Sequence, residues 1–500
     1  MIDYRIPPGV EPIYMNKQVL LSTSQGGRVM IDRMVLQLWQ AADQHNLTEI
    51  LSAFQSSPVD PLHIRAGLAC LAEAGLIERK GISHQPPVAD LSCDARVAVV
   101  IVSYNSRDWL GNCLDSLAAQ SLTPFEIIIV DNGSQDQSVD WIEQNRPEIR
   151  LISLEQPVPL AQAINTGLRS TSAEYYLLLN PDVQLAEDAI AQMVQVAKNY
   201  PGCAAVAAKL RLLWAPHFLN GLGNLVGPIS WGSDIGLGHL DLGQFDNWKE
   251  LPSACFAATL IPTKALAEVG YLDEQFPLYY EDSEWCYRAR LFGYMVQAAP
   301  AALVYHAYSG RVPKEKKESL SASKLKNVVF GRLNFITKLN GPGYLLRFLI
   351  IYCLEDIARF SLAAIRGRRD IAEAIAQGWQ AYLRSLDALK RRRKENQSHR
   401  QLSDRRLYQL QRQAPKPFIR QGVPLLTWDD ICFHYSPLIY NGLSIELPEL
   451  DDLDSAVFTR ARKLSPSLTL QRIGHIWRNE GLAGLLHRIG KAVQWRIMQT

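Results

Sequence analysis

Three stretches of this sequence end an apolar run in side chains able to do chemistry. "VAVVIVSYN" closes on Ser103, Tyr104 and Asn105, "FEIIIVDNGS" on Asp131, and "YYLLLNPD" on Asn180 and Asp182. If each run is a strand of an open parallel sheet, these residues sit outside its carboxyl ends, where such sheets bind ligands. An aromatic ring, hydroxyls and two carboxylates gathered there suit a nucleotide and a metal ion. Asp131 could accept from the imide N–H of uracil or thymine, with Tyr104 packed on the ring. Asp182 suits a hard cation bridging a diphosphate, because Mg²⁺ usually takes one or two carboxylates together with phosphate oxygens. Taken singly, each residue reads as a turn or cap at a strand end. Three in succession favour a ligand.

A second constellation lies in "YYEDSEWCYRAR". Glu281 and Asp282 stand at the start of a predicted helix that turns Trp285, Cys286 and Ala289 inward. An anion near a helix N-terminus is stabilised by the helix dipole. An ionised carboxylate within reach of a hydroxyl is what a general base requires; the plainer alternative for Asp282 is an N-cap. Glu281 reads as acceptor-binding or supporting. Glu284 and Arg288 have the spacing of a helical ion pair. Downstream, "VYHAYSGRVPKEKKES" holds His306, Arg311, Lys314 and Lys316. This polar stretch could close over a donor as a lid, although its lysines also read as a solvated charge run.

The elements that must position these groups alternate in type. "VAVVIV", "FEIIIVD", "IRLISLE" and "EYYLLLN" read as strands, and "RDWLGNCLDSLAAQ", "QDQSVDWIEQN" and "PLAQAINTGLRS" as the helices between them. Continuous β-branched runs indicate strands buried on both faces, and the alternation indicates βαβ units with a mostly parallel sheet. A dinucleotide oxidoreductase would need GxGxxG directly after its first strand. Here that turn is "SYNSRDW", without a glycine before Gly111, and the later "GLGNLVG" has one residue too many and reads as a flexible loop.

The ordered set "VVIVSYNSRDWLGNCLDSL", "IIIVDNGSQDQS", "LLLNPDV" and "GYLDEQFPLYYEDSEWCYRARLFGY" resembles the inverting family 2 glycosyltransferases of GT-A fold, in particular their rhamnosyltransferase-like group. The match covers about residues 96–310. The resemblance implies that Asp131 recognises the base and that Ser103, Tyr104, Asn105, Asn180, Glu281 and Arg311 bind substrate. It further implies that Asp182 is the last acid of the DxD metal motif, that His306 reaches the metal or diphosphate, and that Asp282 deprotonates the acceptor. Asn180 replaces the first acid of that motif, so the cation, Mg²⁺ or Mn²⁺, should be held by few protein ligands and should depend on the donor's diphosphate.

At 500 residues the chain has room for roughly three domains, and a formal charge of +2 excludes a strongly basic nucleic-acid binder. The expected organisation is a winged-helix-like module at 1–90, resembling PqqD-like peptide-binding domains, a GT-A catalytic domain at 94–318, a helical extension at 319–396, and a C-terminal region at 397–500 with a basic amphipathic helix. Eight scattered cysteines without a CxxC pair favour reduced thiols over a disulfide framework. The N-terminus shows no apolar signal core. The most apolar long segment, 344–365, is interrupted by Arg347, Glu355, Asp356 and Arg359, against a spanning helix. The expectation is a cytoplasmic transferase, peripheral at the inner face of the membrane, that moves a sugar from a UDP- or dTDP-sugar to a glycan or lipid-linked acceptor. One displacement with one base predicts inversion. Two alternatives remain open: a peptide acceptor recruited by the N-terminal module, and a non-catalytic nucleotide-sugar-binding scaffold.

Overall fold

The computed structural model describes residues 4–15, 18–22, 27–57, 59–79, 94–226, 232–308, 322–413, 419–420 and 423–441. Arg311, Lys314, Lys316 and the basic segment 470–498 lie outside them.

The apolar runs form the strands anticipated for them. β1 (Val97–Ser103), β2 (Glu126–Asp131), β3 (Arg150–Ser153) and β4 (Tyr175–Leu179) are joined by α1 (Arg107–Ala118), α2 (Ser138–Asn145) and α3 (Leu160–Arg169). They pair in parallel in the order β4-β1-β2-β3, with Ser103 opposite Asp131. β1 and β4 are buried almost throughout, which explains why they read as continuous apolar runs rather than alternating ones.

Beyond β4 the sheet becomes mixed. β5 (Val183–Leu185), β6 (Cys203–Leu212), β10 (Ala258–Pro262) and β11 (Met295–His306) extend it to the order β5-β11-β6-β10-β4-β1-β2-β3, and β7 (Ala215–Gly221) hangs from β6. β10 runs antiparallel to β4, and β5 runs antiparallel to β11. The loop expected at 221–227 instead contributes β8 (Asn224–Leu225), paired with β9 (Ser233–Asp234). Glycine is required there by close approach: a Cβ on Gly223 would fall 2.2 Å from the Ser253 carbonyl oxygen. α4 (Ala189–Asn199), α5 (Thr263–Val269) and α6 (Glu281–Leu291) complete the layers on the sheet.

α7 (Ala322–Leu339), α8 (Pro342–Ile365) and α9 (Arg369–Ser398) pack as a helical unit against α6. The attachment is polar as well as apolar. Fully buried Lys338 on α7 bonds Asp273 at 2.6 Å and lies 3.5 Å from Glu284 on α6. α8 leaves Leu346, Ile350, Leu354, Ile357 and Ile365 exposed along one side. No helix among the described residues is long and apolar enough to cross a membrane.

At the other end of the chain, Glu11–Met15, Gln18–Ser22 and Arg28–Ile31 form an antiparallel sheet, followed by helices at Arg33–Ala42, Leu47–Ala53 and Pro61–Glu73. Asp32, Asn46 and Asp60 cap these helices through their side chains. Val423–Leu426 joins this sheet in parallel beside Arg28–Ile31, and the Trp428 amide donates to Asp32 at 2.8 Å. Part of the C-terminal region, Val423–Leu426 with Ile419–Arg420 beyond it, thus extends the N-terminal sheet.

Candidate active site

Parallel pairing of β4, β1 and β2 brings Asn180, Ser103 and Asp131 to one edge of the sheet. Asp131 is 1% exposed. Its Oδ1 accepts from the Ser134 amide at 2.9 Å, while its Oδ2 is buried without a protein partner. A buried carboxylate oxygen left unpaired is costly, which marks Oδ2 as an acceptor that a ligand could complete. Ser103 is fully buried and its hydroxyl also lacks a partner. Tyr104 is 54% exposed, so its ring is available for stacking. Asn105 takes a left-handed backbone at φ 50°, its side chain accepts from the Gln135 amide at 2.8 Å, and its own amide donates to Ser134 Oγ at 2.9 Å. This lacing holds the β1 and β2 turns together.

The short strand β5 sets the second part of the site. Its antiparallel register places Val183 opposite His306, so Asp182 meets the imidazole. Asp182 Oδ1 lies 3.2 Å from His306 Nε2, and Asn180 Nδ2 lies 3.4 Å from the same nitrogen. On the other side of the ring, His306 Nδ1 is 2.6 Å from Asn220 Oδ1. A carboxylate oxygen and an imidazole nitrogen face one another, a donor set suited to a divalent cation. Among the described residues no group of three or more His, Cys, Asp or Glu could hold a metal. Asp182 and His306 would be protein ligands and the remaining positions would fall to the nucleotide's phosphates and water.

The third part is the start of α6. Tyr279 and Tyr280 both have left-handed backbones, φ 70° and 71°, immediately before Glu281 and Asp282. Two bulky residues in that region represent stored strain. α7 holds them: Gly331 lies so close that a Cβ would sit 2.9 Å from Tyr280 Cδ2, and the Tyr280 ring packs on Phe335 at 6.1 Å. Asp282 is the second residue of the helix, and the cap position belongs to Tyr280, so the plain N-cap alternative fails. Asp282 accepts from the Ser283 amide at 2.6 Å and from Asn224 Nδ2. Further along, Trp285 Nε1 donates to the Gly270 carbonyl at 2.7 Å, and Arg288 pairs with Glu284 at 3.2 Å as its spacing implied.

Electrostatics divide the roles of the paired acids. Burial and then the charge of Asp282 push Glu281 up to about 8. Burial also raises Asp282, but the hydrogen bonds from Ser283 and Asn224 oppose that rise. Glu281 Oε2 is buried with no partner. Where two carboxyls share a site, the better hydrogen-bonded one keeps the charge. Asp282 is therefore the anion and Glu281 its protonated neighbour.

A further acid went unread in the sequence. Asp234 is pushed up to about 7 by burial and by Asp282, against the opposing effects of His306 and of its hydrogen bond from Asn220. Asn220 Nδ2 donates to Asp234 at 3.3 Å. Asn220, Asn224 and Asp234 thus link the His306 and Asp282 halves of the site. Their one sequence signal was the glycine spacing around Asn224, which marks close backbone approach rather than a mobile loop.

Residues 98–211 match the model of glycosyl transferase family 2. The chain carries a family 2 glycosyl transferase domain. Among curated relatives, it is 26% identical over 205 residues to the low-salt glycan biosynthesis hexosyltransferase Agl10 of Haloferax volcanii, covering 39% of this chain and 61% of that protein. It is also 26% identical over 211 residues to the poly-beta-1,6-N-acetyl-D-glucosamine synthase of Staphylococcus epidermidis, covering 42% of this chain and 49% of the relative. The aligned part is therefore well short of either relative's full length. Among solved structures, S. aureus TarS 1-349 aligns with 61% of this chain and 88% of its own at 16% identity and a TM-score of 0.38, a likeness too loose to speak to the reaction. The α/β layering and the mixed sheet flanked by helices are those of the GT-A fold, and a helical unit follows them at 322–398.

Proposed function

We propose that the protein is a metal-dependent, inverting glycosyltransferase of polysaccharide biosynthesis. It moves a sugar from a UDP- or dTDP-sugar to a glycan or lipid-linked acceptor. The observation carrying this reading is the unpartnered Oδ2 of buried Asp131 on the same sheet edge as the facing Asp182 and His306, with anionic Asp282 linked to them through Asn224 and Asp234. Asp131 accepts from the base, Tyr104 stacks on it, and Ser103, Asn105 and Asn180 border the nucleotide. Mg²⁺ or Mn²⁺ on Asp182 and His306 would neutralise charge growing on the diphosphate. Asp282 takes the proton of the acceptor hydroxyl as its oxygen forms the bond to the anomeric carbon. The bond to the diphosphate breaks on the opposite face, which inverts the configuration. Glu281, held neutral, borders the acceptor and can donate a hydrogen bond to it.

The acceptor side favours a lipid-linked chain and work at a membrane face. The exposed row on α8 is aliphatic, and Arg366, Arg368 and Arg369 stand exposed just beyond its end. Apolar side chains beside basic ones match the interface of an anionic bilayer. A peptide acceptor has one observation in its favour: Glu11–Met15 is the end strand of its sheet among the described residues, with Ile13, Tyr14 and Met15 exposed. Such an edge can take an extended peptide, whereas the other end of the sheet is taken by Val423–Leu426 and Ile419–Arg420.

The deciding experiment is a panel of nucleotide sugars incubated with the full chain, with and without Mn²⁺ or Mg²⁺ after chelation. Nucleoside diphosphate release that needs the metal, and a product of inverted anomeric configuration by NMR, are expected. No turnover with any donor would favour the non-catalytic scaffold. Full turnover without metal would remove Asp182 and His306 from the role given them.

A further inference from the structure

We infer that Asp234 binds a hydroxyl of the transferred sugar, and that the site around it selects a neutral sugar over a uronic acid. The inference rests on the transferase reading and names the class of donor that this site takes. In a single displacement the anomeric carbon lies between the attacking oxygen and the departing diphosphate. The sugar ring therefore occupies the space between Asp282, which serves the acceptor, and the Asp182–His306 pair, which serves the diphosphate. Asp234 is tied to both ends of that space by one amide each. Asn220 donates to Asp234 Oδ2 at 3.3 Å, and the other end of the same amide lies 2.6 Å from the His306 ring. Asn224, the cross-strand partner of Asp234, gives its Nδ2 to Asp282. Residues directly opposite in an antiparallel pair share one face, with Cα atoms about 5 Å apart.

Asp234 has room for a ligand's donors. Its carboxyl receives one hydrogen bond, the long one from Asn220, and forms no ion pair with a Lys or Arg among the described residues. Buried polar groups normally find partners, and the hydroxyls of a sugar can supply them. A carboxyl oxygen accepts from a hydroxyl in either protonation state, so the contact does not hang on the charge of Asp234. Asn224 Oδ1, buried without a protein partner, is a second acceptor on the same β8–β9 hairpin. Gly221 makes the arrangement possible, since a Cβ there would fall 2.8 Å from Asp234 Cβ. Three acids, Asp234, Glu281 and Asp282, thus stand around one space, and the groups acting on Asp234 and Glu281 include no Lys or Arg. The carboxylate of a uronic acid would enter against like charge with no cation to receive it. A sugar bearing only hydroxyl or amide groups meets acceptors instead.

The test is calorimetric binding to the full chain with Mn²⁺ present. The probes are UDP, dTDP, UDP-glucose, UDP-N-acetylglucosamine, dTDP-rhamnose and UDP-glucuronate. Wild-type protein should bind UDP-glucuronate roughly tenfold or more weakly than the better of the two neutral UDP-sugars. Asp234→Ala should weaken the best neutral donor by roughly 10- to 100-fold while leaving its parent nucleoside diphosphate within about twofold of wild type. A deoxy form of that donor, lacking the hydroxyl that Asp234 receives, should bind wild type and variant alike. Asp234→Asn, which keeps the shape and removes the charge, should take up UDP-glucuronate better than wild type does. Equal losses for donor and nucleoside diphosphate in Asp234→Ala, or a loss for neither, would overturn the role of Asp234. UDP-glucuronate held as tightly as the neutral UDP-sugars would overturn the selection of a neutral sugar. Should Asp234→Ala fail to fold, Asp234→Asn decides, and unchanged affinities for every probe in that variant count against the inference. Wild-type protein that binds no nucleotide would sink the transferase reading and this inference with it, whereas protein that binds UDP or dTDP but ignores position 234 sinks the inference alone.

Discussion

Replacing Asp282 by Asn tests the core of the chemistry, because the change preserves shape while removing the base. In the native site the carboxylate receives two donors, the Ser283 amide at 2.6 Å and Asn224 Nδ2. An asparagine can offer only one oxygen, so one of these donors then faces an NH₂. The mismatch should cost about 1–3 kcal/mol of stability, offset in part because no charge is then held buried at that position. The fold should therefore survive with a modest change in melting temperature. Turnover should fall by about 10²- to 10⁴-fold, the usual contribution of a positioned base, equivalent to roughly 3–5 kcal/mol of transition-state free energy. Donor KM should stay near wild type, since Asp131 and the Asp182–His306 pair are untouched. The assay is nucleoside diphosphate release with the best donor at saturating acceptor, run across pH. In wild type, burial raises Asp282, so the acidic limb of the profile should lie above the ordinary carboxylate range; in the variant that limb should vanish. A folded Asp282→Asn protein whose turnover stays within about tenfold of wild type, with the limb intact, would refute this assignment.

Asp131→Ala removes the carboxylate whose Oδ2 awaits a partner and should raise donor KM by about 10- to 100-fold, the loss of one hydrogen bond to a charged group, with kcat little changed; an unchanged KM would exclude base recognition by Asp131. Glu281→Gln tests the buried acid through stability. The folded value of about 8 lies above the ordinary 4.5, so the stability this group contributes is fully present below about 4.5 and is lost as pH rises through about 8. Urea unfolding at pH 5 and pH 8 should show the variant gaining up to a few kcal/mol on wild type at the higher pH, and a pH-independent difference would contradict the burial argument. Lys338→Met leaves Asp273 and Glu284 as buried charges without their ammonium, and should cost about 3–5 kcal/mol, read as a large drop in melting temperature; a small drop would show that the α6–α7 attachment is mainly apolar. Leu354→Glu with Ile357→Glu should abolish flotation with vesicles containing anionic lipid while leaving donor hydrolysis intact, and wild-type protein that does not float would remove α8 from any membrane role.

The chemistry of individual residues was largely legible from local pattern. Short continuous apolar runs alternating with helical segments fit strands buried on both faces, so Ser103, Asp131 and Asn180 were already assigned to strand ends, and a parallel sheet gathers such ends on one edge. The i,i+4 spacing of Glu284 and Arg288 likewise survives into the structure, because helical geometry is local. The sequence also marked Asp282 as an acid at a helix start. It left open whether that acid was a cap, since this depends on the left-handed Tyr279 and Tyr280 and on the α7 helix that holds them. Only tertiary structure brought β5 back against β11 and so joined Asp182 to His306 across more than a hundred residues of chain. Only tertiary structure paired Asn224–Leu225 with Ser233–Asp234 and so brought Asn224 to Asp282 and Asn220 to Asp234. Contacts between distant segments leave no local periodicity for a sequence to display. The amino acids by themselves therefore determined which groups could act, and the long-range pairing of short strands decided which of them meet.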